Sequence, residues 1–181
     1  MNIRNTTESY GALARMVHWA SALAVAIAWS GGQLVDAFGK SAEATIVFVH
    51  IEAGLAALAL LAVRLAWRYL DPHPPAEPSS FDPWLGYAAK AGHLALYALL
   101  IAAPVAGIVT LFARGETLSL FGLWDIVSPW VRDRTFSRST KEVHELFANA
   151  LLILAALHAA AALLHHYVLR DNTLRRMLAG T

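Results

Sequence analysis

Four histidines carry the chemistry that this sequence can do. His18 lies near the start of one apolar stretch and His50 near the start of the next. His144 opens the last apolar stretch and His158 follows it by 14 residues. On a helix, 14 steps return to within ~40° of the starting direction and descend ~21 Å. One face of that helix therefore presents two imidazoles at two depths. If the chain crosses a membrane four times, His144 matches the depth of His50 on the outer side. His158 lies toward the side of His18, the inner one. Two histidines facing each other at one depth are what bis-imidazole ligation of a haem iron needs. The expected pairs are His50 with His144 and His18 with His158, giving two haems stacked across the bilayer, with these four residues as the axial ligands of the iron. No side chain is expected to act as a nucleophile or general acid.

Other metal chemistry fits poorly. Zinc, copper and di-iron sites need ligands converging on one point, and di-iron sites need several carboxylates. The two histidines of the last helix are ~21 Å apart by helical rise, and only Glu52 lies inside an apolar stretch. The chain has no cysteine. That excludes disulfides, thiolate-held iron–sulfur clusters and c-type haem.

The elements that must position these histidines are read from composition. The 181 residues are 57% hydrophobic and 15% charged, with mean hydropathy +0.49; soluble domains carry about 25% charge. Net charge is +1, which argues against a nucleic-acid surface. Met16 to Val35, Ala91 to Ala113 and Leu146 to Leu169 contain no Asp, Glu, Lys or Arg, and Ala44 to Val63 contains only Glu52. About 20 helical residues cross the ~30 Å hydrocarbon layer. The stretches are apolar all round, which argues against a soluble bundle. The expectation is an all-α, integral-membrane four-helix bundle in a single membrane domain, residues 1–181. Its helices are expected at about 13–36, 44–69, 90–113 and 141–169, with both termini on one side. The polar start, with Arg4 and Glu8, does not read as a cleaved signal peptide. No internal repeat is evident.

Of the connections, Asp36 to Glu43 is short. The second holds Asp71-Pro72-His73-Pro74-Pro75 and reads as an extended surface segment. The third, Arg114 to Glu145, contains an apolar run from Leu118 to Val131 that is too short to span and is expected to lie at the interface. Trp67 and Trp84 on one side, and Trp124 and Trp130 on the other, fit aromatic belts. Eight Lys and Arg on the terminal side against six on the other favour termini in the cytoplasm.

Several residues near the histidines have two readings each. Gly54, one turn after His50, would admit a porphyrin or allow close helix packing. Arg64 would meet a propionate or snorkel to the interface. His165, on the face of His158, would serve a propionate or a quinone head group, or be a wet interfacial histidine. His166 points ~100° away. His93 is expected to be structural and His73 solvated. Glu52 would be a proton site or simply face the interface.

The chain resembles the bacterial cytochrome b561 family. Arg15-Met16-Val17-His18-Trp19 is similar to that family's first-helix motif. Val49-His50-Ile51-Glu52-Ala53-Gly54, followed by Val63-Arg64-Leu65, resembles the second. Gly92-His93-Leu94 and Pro104-Val105-Ala106-Gly107 resemble the third. His144-Glu145, Leu157-His158 through His165-His166-Tyr167 and the tail Asp171-Asn172-Thr173-Leu174-Arg175-Arg176-Met177 resemble the fourth. Glu52 is not part of the pattern. The resemblance covers roughly residues 10–178 and implies two non-covalent b-type haems in a bacterial inner-membrane protein, in contact with lipid and ubiquinone. Arg15, Arg64, Arg114, Lys141 and His165 are the candidate propionate or quinone contacts. Some members pass electrons from superoxide, on the periplasmic side, to ubiquinone. Others are cytochrome b subunits serving a periplasmic dehydrogenase, hydrogenase or cytochrome. The outer loop carries five basic residues and, with Glu145 at its end, five acidic ones, so its charge alone does not favour an anionic donor.

Overall fold

The structure is a computed structural model that describes residues 2–35, 37–71, 74–75 and 83–178. His73 and most of the Pro-rich segment lie outside the described residues. Four long helices dominate: α1 (Ala12–Leu34), α2 (Lys40–Leu70), α3 (Pro83–Ala113) and α4 (Arg134–Leu164). All four are long and apolar enough to cross a membrane, the last when its continuation to Leu169 is included. The protein is a four-helix membrane bundle.

The pattern of burial is that of a membrane protein. Large side chains such as Met16, Leu23, Ile27, Leu94, Ile153 and Leu157 face outward. The buried positions are mostly small: Val17, Ser21 and Ala24 on α1, and Ala53, Ala57 and Leu61 on α2. Each set recurs at three or four residues, so it forms one stripe along its helix. Small residues let two backbones approach where lipid gives no hydrophobic drive to associate. α1 packs along α2 and α3 along α4, while contact between the two helix pairs is slight. The histidines face one another across that seam.

Two local features depart from a simple bundle. Within the long connection, β1 (Leu118–Leu120) and β2 (Trp124–Ile126) form an antiparallel hairpin, with Leu118 opposite Ile126 and Leu120 opposite Trp124. Phe121 and Gly122 turn it with consecutive left-handed conformations, φ 55° and 67°. Where the sequence suggests only an apolar interfacial run, the chain satisfies its own backbone by pairing strands. At the other end, α4 widens into a π-helical turn, His165–Leu169, closed by Arg170 in the left-handed region. A short 3₁₀ turn, Arg175–Met177, follows. The tail folds back on α1: Arg15 Nη1 donates to the Leu178 carbonyl at 3.0 Å, and Trp19 Nε1 to that of Met177 at 2.9 Å.

Candidate functional site

The helices bring the four histidines together in two layers. On the side of the β-hairpin, His50 of α2 faces His144 of α4 with ring centres 5.8 Å apart. On the side of the tail, His18 of α1 faces His158 of α4 at 6.3 Å.

The loop-side pair is held by one device used twice. His50 Nδ1 lies 2.6 Å from the Ala28 carbonyl of α1, and His144 Nδ1 lies 2.8 Å from the Ala103 carbonyl of α3. A carbonyl can only accept, so each Nδ1 carries the hydrogen and each Nε2 keeps its lone pair. In an α-helix the carbonyl of residue i sits beside residue i+4. That residue is glycine in both cases, Gly32 after Ala28 and Gly107 after Ala103. A Cβ at Gly32 would come within 3.3 Å of the His50 ring, and one at Gly107 within 3.1 Å of the His144 ring. The missing side chains open each carbonyl sideways to an imidazole on the neighbouring helix. Pro104, inside α3, lacks an amide hydrogen and leaves the carbonyl of Leu100 without its helical partner. Sequence reading passed over these glycines because their role needs the neighbouring helix to be in place.

The tail-side pair is built differently. Arg64 Nη1 donates to His18 Nδ1 at 2.9 Å, and the guanidinium lies over the Tyr97 ring at 5.7 Å. Arginine only donates, so His18 Nδ1 is the acceptor here. Ligation of a metal by His18 Nε2 requires its hydrogen to move to Nδ1 and Arg64 to turn to another acceptor. His93, expected to be merely structural, also stands in this layer, 5.2 Å from His158 between ring centres. Its place on α3 beside α4 was not readable from spacing within one helix.

The remaining candidates fall into separate places. His165 is not at the layer of His158: its Nδ1 meets Asp171 Oδ2 at 2.5 Å. The π-turn makes that meeting possible, because the amides of Arg170 and Asp171 both bond the His165 carbonyl and fold the chain back. Partial burial pushes the Asp171 carboxyl up, but bonds from His165 and from the Thr173 backbone and side chain outweigh it. The result lies below the ordinary value of 3.8. A carboxyl lowered by folding contributes stability that is present above its ordinary pKa and lost as pH falls through the lowered one. Asp171→Asn is therefore expected to speed hydrogen exchange in the tail, residues 170–178, at pH 7. The wild-type tail should keep its protection from pH 7 down to 5. Equal exchange in both proteins would show that this contact does not hold the tail.

On the loop side, Lys141 pairs with Glu145 at 3.2 Å, both half exposed. Arg114 lines a groove with Lys40, Glu43, Glu52 and Glu116. Both Glu52 oxygens accept from the Phe121 amide, at 3.0 and 3.1 Å, so this carboxylate ties the hairpin turn to α2. Gly54 has no described protein atom within 4 Å of an added Cβ, so close helix packing does not account for it.

The arrangement suits iron held between two imidazoles. Metal–nitrogen bonds of ~2.0–2.1 Å on opposite sides of one ion put ring centres ~6.4 Å apart; the His18/His158 pair, at 6.3 Å, matches this, and the His50/His144 pair, at 5.8 Å, is somewhat closer. Among the described residues, no three His, Asp or Glu side chains converge as a zinc or di-iron site would need.

Comparison with known proteins identifies the family. Residues 9–180 match the family model described as prokaryotic cytochrome b561. The chain is 37% identical to a "Probable superoxide oxidase CybB" of Yersinia pestis, over 94% of this chain and 96% of that protein. It is 32% identical to "Cytochrome b561 homolog 2" of Escherichia coli K12, over 98% and 95% respectively. It is 30% identical to a "Cytochrome b562" of Cereibacter sphaeroides, over 93% and 94%. The four spans, the facing imidazoles and these matches together place the chain in the prokaryotic cytochrome b561 family, membrane oxidoreductases of electron transport that carry b-type haem.

Proposed function

We propose that the protein is a di-haem superoxide oxidase, passing electrons from superoxide on the loop side to ubiquinone near the tail side. The observation that carries this reading is the pair of histidine layers, each made by rings from opposite sides of one seam. His50 and His144 would hold one haem, His18 and His158 the other. A bound b-type haem supplies one-electron storage at each layer.

The chain's residues do the rest. His50 and His144 keep their Nε2 lone pairs free by donating through Nδ1. Helix α4 carries a ring of both layers and so fixes their separation, ~21 Å along its axis by helical rise. Two superoxide anions give two electrons, which with one quinone and two protons yield two O₂ and one quinol. The eight-to-six excess of basic residues supports a cytoplasmic tail side, from which the protons would come, and a periplasmic loop side. The likeness to a probable superoxide oxidase supports this donor.

A second reading has the protein as the cytochrome b subunit of a larger complex. The hairpin favours it, since Leu123 and Trp124 are about four-fifths exposed there. The test is stopped-flow mixing of the purified protein with superoxide and a ubiquinone analogue. Quinol formation that is first order in protein, and that superoxide dismutase abolishes, is the expected result. Absence of quinol, with a periplasmic redox protein co-purifying from membranes, would favour the second reading.

A further inference from the structure

The two histidine layers sit in unlike electrical surroundings. At the loop side both imidazoles donate Nδ1–H to neutral carbonyls, those of Ala28 and Ala103. Such a bond pushes electron density toward Nε2 and makes the imidazole a stronger donor to metal. A stronger donor stabilises the oxidised iron and lowers its potential.

At the tail side the sign is reversed. The guanidinium of Arg64 touches His18 itself. Arginine is always charged, and a cation in a low-dielectric setting disfavours the extra positive charge of oxidised iron. The guanidinium also lies over the Tyr97 ring, 5.7 Å from its centre, so its charge stays beside this layer when it turns from His18 to a neighbouring acceptor.

We propose that the protein sets the His18/His158 layer at a higher reduction potential than the His50/His144 layer, with Arg64 as the positioning charge. Electrons then run downhill from loop side to tail side. This rests on the di-haem reading above and adds to it a direction written into side chains rather than into the haems. With a haem held at each layer, one electron lost at the loop side would be gained at the tail side, with no proton transfer between them. Arg64 touches no substrate. It acts on the iron through His18 and through space.

Spectroelectrochemical titration of the full-length protein in detergent or nanodiscs tests this. The variants His144→Ala and His158→Ala, each keeping one chromophore, assign the two midpoints. The expected wild-type result is two midpoints with the tail-side one higher. Arg64→Gln should lower the tail-side midpoint and leave the loop-side one in place, and Arg64→Lys should restore most of the shift. A higher loop-side midpoint in the wild type would overturn the proposal. So would an Arg64→Gln variant whose two midpoints are unchanged or move together. If Arg64→Gln loses the tail-side pigment, the wild-type order and the lysine variant still decide. A preparation with fewer than two haems per chain would instead count against the di-haem reading, which a pyridine haemochrome assay measures separately.

Discussion

His144→Ala and His158→Ala are each expected to lose one of two b-type chromophores, a different one in each case. α4 contributes one ring to each layer, so the two substitutions separate the layers without touching the helices opposite. His144→Ala removes the partner of His50, whose ring centre is 5.8 Å away. It also leaves the Ala103 carbonyl without its imidazole donor, a loss of about 1–3 kcal/mol if nothing replaces it. His158→Ala removes the partner of His18 and leaves the loop-side hydrogen bonds alone. Haem quantitation should fall to one half of wild type in each variant. The reduced-minus-oxidised spectra of the two should add up to the wild-type spectrum. Full pigment in both variants would mean that these imidazoles are not the ligands. Loss of all pigment in one would mean that the layers do not bind independently, and circular dichroism would then show whether the bundle had unfolded.

The sequence made some of this legible and hid the rest for physical reasons. The spans could be read because lipid imposes a length and forbids charge, and the long apolar helices observed meet both conditions. Depth could be read too, because helical rise is constant: the 14 residues from His144 to His158 set two levels. What no one-dimensional pattern showed was contact between helices. Gly32 and Gly107 matter only because His50 and His144 press against them, and His93 only because α3 brings it beside His158. The shared carbonyl-and-glycine device links α1 with α2 and α3 with α4, yet it shares too few residues to register as a repeat. The β-hairpin escaped notice because its turn, Phe121-Gly122, has only one glycine for two left-handed positions. Asp171 was read as part of a tail motif; its bond to His165 depends on a π-turn that shifts the register by one residue. Glu52, which fits no family pattern, turned out to hold the hairpin turn.

Gly107→Leu is expected to remove the loop-side chromophore while keeping the tail-side one. A Cβ at this position would already lie 3.1 Å from His144 Cε1 and 3.2 Å from Nδ1, inside the ~3.5–4.0 Å of a favourable carbon contact. Leucine adds three more carbons beyond it. The imidazole would have to swing away, breaking the 2.8 Å bond to Ala103 and turning Nε2 off its line toward His50. The backbone gives no reason for the protein to unfold: leucine favours a helix over glycine by up to ~1 kcal/mol, and Gly107 sits well inside α3. Steric loss at one layer is thus separable from general instability. Gly86→Leu is the control, since Gly86 lies on the same helix with no described atom within 4 Å of its added Cβ, and it should keep both chromophores. The spectrum of Gly107→Leu should match that of His144→Ala. If Gly107→Leu kept both haems with unaltered bands, His144 would not be held against α3 in the way described. The free Nε2 of that histidine would then need another explanation than a glycine placed four residues past the carbonyl it bonds.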